Sequence, residues 1–183
     1  MRRLSIFIAC ITLCILCGPY VYRAATQNKQ HEYHNLTHEE RAARRAARLA
    51  EEKRIVDSLI ISHNFEFNPQ SMQQMPAGQM FFLSNVNYTF TIWRGTMDIC
   101  LPYIAGITPP YRRTLLNTGT NNLQNYKTVQ TDNGWIVSFN AVLYAEIDYT
   151  FTLEVTDFGG ATLTISNNWY NDVQYTGTIS QVY

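Results

Sequence analysis

The side chains able to move protons or hold a metal ion are few, and they stand apart from one another. The four histidines are His31, His34, His38 and His63, and the chain beyond residue 63 has none. Imidazole is the commonest general base and metal ligand, so a serine or cysteine nucleophile in the later part would need His63 folded back onto it. His31, His34 and His38 lie in or next to a polar stretch that reads as a tether, where close spacing carries no ligand geometry. Of the four cysteines, Cys10, Cys14 and Cys17 fall in an apolar N-terminal run and Cys100 stands alone. That excludes an intrachain disulfide in the folded part, and no CxxC pair has the matching partner pair of a structural zinc site. Glu146 and Asp148 are two apart, which on a strand puts both on one face as in a glycoside hydrolase. They fall at an expected turn, however, where solvated carboxylates are ordinary. No catalytic, cofactor-binding or metal-binding residue is assigned, and the expectation is a protein that is not an enzyme.

Aromatic residues are the one enriched class with recognition chemistry. Tyr88, Phe90, Tyr103, Trp135, Tyr149 and Tyr175 fall in stretches that alternate apolar with polar. If those stretches close around a space, the six rings are the candidates to line it and to stack on a small apolar or glycan ligand. The plainer alternative is that they fill the interior, as side chains do in small barrels.

The elements that would carry them are strands. Tyr149, Phe151, Leu153 and Val155 alternate with Thr150, Thr152, Glu154 and Thr156; Ala161, Leu163 and Ile165 alternate with Thr162, Thr164 and Ser166. A period of two with threonine on the off-beat marks a strand with one dry and one wet face, and Gly159-Gly160 between the runs suits a hairpin turn. Residues 135–141 behave the same way. Earlier, Phe65 and Phe67 point inward on a first strand that Pro69 is expected to end. Residues 79–83, 88–93 and 97–103 supply further strands, and 108–122, with Pro109-Pro110 and Asn/Thr/Gly clusters, reads as the longest loop. Residues 126–130 and 173–179 complete the set, with Gly177 expected at a bulge. Eight or nine short antiparallel strands in hairpin sequence close as an up-and-down barrel or fold as a β-sandwich.

Four segments are expected: residues 1–25 as a signal or lipoprotein anchor, 26–36 as a flexible tether, 37–62 as a charged helix and 63–183 as the β domain. Arg2 and Arg3 ahead of the apolar run 4–17 have the layout of an export signal. Lipidation at Cys17, cleavage near Ala25 and retention as an anchor all remain open, and membrane association is expected only through this end. Thr37 and Glu40 have capping-box spacing, ahead of a run rich in Ala, Arg, Leu, Glu and Lys. Up to residue 62 ten Lys/Arg stand against six Asp/Glu, a net +4, and beyond it four against eight, a net −4, so the formal charge is zero. A mildly acidic β domain is a poor fit to phosphate backbones, and no nucleic-acid partner is expected.

Phe65-Glu66-Phe67, Leu101-Pro102-Tyr103 with Gly106, Asn133-Gly134, the strand from Gly160 to Ile165 and Tyr175-Thr176-Gly177 follow in an order and spacing that resembles one family. It is a set of exported Bacteroidetes proteins described as lipoproteins, the domain-of-unknown-function family numbered 4251. The resemblance spans roughly residues 46–179. It implies a lipocalin-like barrel rather than a sandwich and a place in the periplasm or at the outer membrane, and it carries over no site residues. This chain departs from the family pattern at Asn168-Trp169-Tyr170, where relatives tend to have arginine, and in its poor lipobox at Cys17. The functional expectation is a cell-envelope module for a small apolar or glycan ligand. The alternative is an assembly factor that meets another envelope protein through its helix or a sheet edge.

Overall fold

The computed structural model of the chain describes residues 37–106, 108–144 and 147–182. The expected signal, the tether, Cys17, His31, His34 and Glu146 lie outside the described residues. Among those described, no helix is long and apolar enough to cross a membrane.

One helix, α1 (His38–Ser62), opens the described chain. Its start is the capping box: the Glu40 N–H donates to Thr37 Oγ1 at 3.3 Å, and the Thr37 N–H donates to Glu40 Oε2 at 2.8 Å. That backbone donor, with help from the Thr37 hydroxyl, holds the Glu40 carboxyl below its ordinary range. The compact unit that contains the sheet begins at Leu49, so the later turns of α1 belong with it. Val56, Leu59 and Ile60 are the buried helix residues, each contributing roughly 1.5–3 kcal/mol by burial. The helix stops where His63 turns left-handed (φ 53) and its N–H reaches back to the Ile60 carbonyl at 3.2 Å.

Ten strands follow among the described residues. They are β1 (Asn64–Gln74), β2 (Met80–Phe82), β3 (Thr89–Trp93), β4 (Thr96–Ala105) and β5 (Arg112–Thr120). The second half supplies β6 (Gln124–Thr131), β7 (Gly134–Leu143), β8 (Ile147–Thr156), β9 (Gly160–Asn167) and β10 (Val173–Ser180). All join one antiparallel sheet in the order β5-β4-β3-β1-β10-β9-β8-β7-β6, with β2 added beside β1. The first strand is therefore the middle of the sheet. It pairs with β10 along one side; along the other its beginning pairs with β3 and its end with β2.

The alternation read from the sequence sets the core. Phe65, Phe67, Ile99, Leu101, Val137, Phe151, Leu153, Leu163 and Ile165 are all buried, while the intervening threonines lie on the other face. The two wings meet through these side chains. Phe90 on β3 stacks on Phe151 of β8 at 5.8 Å and on Phe139 of β7 at 6.2 Å, and Phe139 stacks on Tyr126 of β6 at 5.6 Å. Such ring pairs add about 0.5–1.5 kcal/mol each beyond area burial.

Three expectations are corrected. The lipocalin-like barrel does not form: β5 and β6 end the strand order and do not pair with each other, so the sheet is open. The two edge strands are polar and largely exposed, carrying Arg112, Arg113 and Asn117 on one and Gln124, Lys127 and Gln130 on the other, a composition that suits a free edge. Nor do the described residues form a sandwich, since a single sheet holds every described strand. Second, the stretch 108–122 is not a loop throughout, because β5 occupies most of it. Third, Pro69 does not end β1. The strand runs through it with a bulge between Pro69 and Ser71, so the extra residue is Gln70 on β1 and not Gly177, which lies opposite.

Candidate ligand-binding pocket

Strand direction separates the two ends of the sheet. β7 runs from Gly134 to Leu143 and β8 returns from Ile147 to Thr156, about 30 Å at the usual rise per residue. At the Gly134 and Thr156 end sits the helix. The Trp135 indole N–H donates to Asp57 Oδ1 at 2.7 Å, and Lys53 Nζ donates to Asp157 Oδ2 at 2.9 Å. At the far end, the last residues of β4, the first of β5, Tyr144 and Ile147 at the ends of β7 and β8, and Tyr170 between β9 and β10 surround an open pocket of about 430 Å³. That is within the range of small-molecule sites.

Its walls are tyrosines. Tyr103, Tyr144, Tyr149 and Tyr170 all line it, and the Tyr103 and Tyr149 rings meet edge to face at 6.2 Å. Asn167 sets this corner. Its side-chain carbonyl accepts from the N–H groups of Trp169 and Tyr170 at 2.8 and 2.9 Å, and its amide donates to the Tyr103 hydroxyl at 2.8 Å. One side chain thus shapes the turn that carries Tyr170 and orients the phenol beneath it. On the opposite wall, Tyr144 takes a left-handed backbone (φ 41), and its hydroxyl accepts the Asn117 N–H of β5 at 2.7 Å. Burial pushes the Tyr103 hydroxyl well above its ordinary pKa. Burial also raises that of Tyr149, with the neighbouring Tyr170 and Tyr144 adding to it. Both stay neutral donors at any physiological pH.

Two of the six rings singled out in the sequence, Tyr103 and Tyr149, reach the pocket. Phe90 and Tyr175 are wholly buried in the core, Tyr175 donating its hydroxyl to the Pro102 carbonyl at 2.7 Å. Tyr88 packs at the core's margin, and Trp135 is tied to the helix. Sequence reasoning passed over Tyr144, Tyr170, Asn167, Arg112 and Arg113. The arginines left a trace, being an adjacent pair in a domain with four basic residues, inside the stretch read as a long loop. Elsewhere, His63 is half-buried and stacks on Tyr126 at 4.6 Å, Asp148 is exposed and Cys100 is half-buried and free. Among the described residues no group of three His, Cys, Asp or Glu side chains converges as a metal site would require.

Fold and site together define an open antiparallel sheet protein with a helix on one end and a tyrosine-walled pocket at the other. Residues 47–179 match the family described as domain of unknown function DUF4251, and the chain belongs to that family. It is also similar to a crystal structure of a DUF4251 family protein from Bacteroides eggerthii DSM 20697. That match has 16% sequence identity and a TM-score of 0.56, and covers 72% of this chain and 89% of that one. At this identity the likeness bears on the fold alone. A search of the curated proteins gives no match.

Proposed function

We propose that the chain is a non-enzymatic module of the cell envelope that holds a small apolar or glycan ligand in the pocket opposite its helix. The observation that carries this reading is the convergence of four tyrosine rings in one open space of small-molecule size. Phenol rings offer flat apolar faces for stacking and hydroxyls for hydrogen bonds to a ligand's polar rim. Arg2, Arg3 and the apolar run behind them support export, to the periplasm or outer membrane, with Cys17 as the candidate lipidation site. Native mass spectrometry on protein purified from its own envelope tests the binding role. A bound small molecule that is lost in Tyr149→Ala and Tyr170→Ala supports it, and repeatedly empty wild-type spectra overturn it.

A second reading, an assembly factor, draws on the free edges of β5 and β6 and on Ile55 and Ile61, which α1 leaves exposed. It requires that replacing Ile55 and Ile61 by serine remove a specific crosslink to another envelope protein while leaving the fold intact. An unchanged crosslink pattern ends it.

A further inference from the structure

The pocket has an electrical polarity that its aromatic walls do not explain. Arg112 and Arg113 both border it, and none of its described lining residues is an aspartate or glutamate. The β domain as a whole has an excess of acidic residues, so two adjacent arginines on one wall run against the local composition.

Strand register separates the two arginines. In the β4–β5 ladder Ala105 faces Arg112, Tyr103 faces Thr114 and Leu101 faces Leu116, while Ile104 faces Arg113. Residues directly opposite share a face of the sheet, and alternate residues along a strand do too. Arg112 is therefore on the face of Tyr103 and buried Leu116, the face that opens into the pocket. Arg113 is on the other face, and its guanidinium lies over the Phe81 ring of β2 at 4.3 Å. Arg113 has a cation–π seat; among the described residues Arg112 makes no ion pair.

We propose that Arg112 is the anchor for an acidic group, so that the pocket takes a small organic anion: a carboxylate, sulfonate or phosphate carried on an apolar or sugar ring. The ring lies against Tyr103, Tyr149 and Tyr170, and the acid group meets the guanidinium at the β5 wall. A planar guanidinium offers paired N–H donors to an oxyanion, and the protonated Tyr103 and Tyr149 are themselves neutral. Asp172 bears on Tyr103, so the acid group belongs at the β5 wall and not at Tyr103. This inference rests on the pocket being the binding site and adds the charge of what it binds.

Two fluorescent probes with one ring skeleton test it: 1-anilinonaphthalene-8-sulfonate, which bears an acid, and N-phenyl-1-naphthylamine, which does not. Wild-type protein is expected to bind the sulfonate about tenfold tighter or more, as a charge-assisted contact allows, and the advantage shrinks with added salt. Arg112→Gln abolishes the advantage with unchanged melting, Arg113→Gln keeps it, and Tyr149→Ala weakens both probes. Equal affinities in the wild type, or a preference that survives Arg112→Gln, overturn the anion assignment and leave the pocket reading standing. Binding of neither probe, or binding indifferent to Tyr149→Ala, counts against both. Displacement of the sulfonate by octanoate but not octanol assigns an apolar acid; by glucuronate but not glucose, an acidic sugar. Displacement by neither acid counts against the proposal.

Discussion

The Asn117 N–H on edge strand β5 donates to the Tyr144 hydroxyl at 2.7 Å, joining two parts of the molecule that no backbone ladder joins. Asn117 faces Cys100 in the β4 ladder, yet its N–H goes to the turn after β7. A barrel would satisfy such edge groups by pairing β5 with β6. Here one phenol takes the place of a strand, and the same ring forms a wall of the pocket.

Tyr144→Phe keeps the ring and removes the acceptor. The expected cost is about 0.5–1.5 kcal/mol of global stability, and the Asn117 amide should exchange with solvent markedly faster than its neighbours on β4. Hydrogen exchange followed residue by residue checks this. An Asn117 amide equally protected in wild type and variant would mean the bond does not hold the two parts together.

The helix is fastened by two polar contacts of unequal worth. Asp57 is half-buried and accepts from the Trp135 indole, whereas Lys53, which reaches Asp157, keeps 42% of its side chain exposed. Both contacts are part-buried, but the lysine must order a long flexible chain and desolvate an ammonium to reach its partner, costs that the rigid indole escapes. Asp57→Ala should cost about 1–3 kcal/mol in urea unfolding, since it strands a half-buried N–H and removes a charged acceptor. Lys53→Ala should cost much less. Equal losses, or a larger one for Lys53, would reverse this ranking.

Buried phenols make the protein sensitive to alkali. Burial pushes Tyr126 up to about 12, and raises Tyr103 and Tyr175 in the same direction. A phenol in the unfolded chain ionises near 10, so between these values the unfolded state binds fewer protons than the native one. Stability from these groups is fully present below about pH 10 and is lost as pH rises through the folded values. Absorbance at the phenolate band should rise in two phases, exposed tyrosines first and the buried set together with loss of the sheet's circular dichroism. Tyr126→Phe should lessen the decline in stability between pH 10 and 12. A variant that follows the wild-type curve would show that Tyr126 does not contribute.

What the sequence revealed follows from which forces are local. In β8 and β9 the alternation of Phe151, Leu153 and Ile165 with threonines is a property of neighbouring residues, and it placed both strands and their inner faces correctly. The capping box at Thr37 and Glu40 is local in the same sense. Closure is not local: nothing in the pattern of β5 or β6 states whether those strands meet, so hairpin order left barrel and sandwich both open, and only the family resemblance favoured the barrel. β5 itself was hidden because an exposed edge strand needs no regular apolar face; in it only Leu116 is buried. The pocket was hidden for a related reason. Tyr144 and Tyr170 lie in turns, where no periodicity marks direction, and Asn167 acts through hydrogen bonds to residues two and three positions on. Phe90 and Tyr175 have the same composition signal as Tyr103 and Tyr149, and only the packing distinguishes filler from wall.

The middle of the sheet supplies the most exacting test of the register. Gly177 on β10 faces Pro69 on β1 beside the Gln70 bulge, and a methyl group built on it would run into the Asn68 carbonyl and Pro69 Cα. Those atoms belong to backbone, which can shift only by disturbing the ladder that holds the two wings. Gly119 on edge strand β5 is different, because its added methyl would meet nothing closer than the Met97 carbonyl oxygen at 3.4 Å. Gly177→Ala should therefore destabilise by about 1–3 kcal/mol or more through overpacking, while Gly119→Ala should change stability little. Thermal and urea unfolding of the two variants side by side decide the matter. A tolerated alanine at 177 would mean that β1 and β10 do not approach as closely as the bulge at Gln70 requires, and the central pairing of the sheet would have to be redrawn.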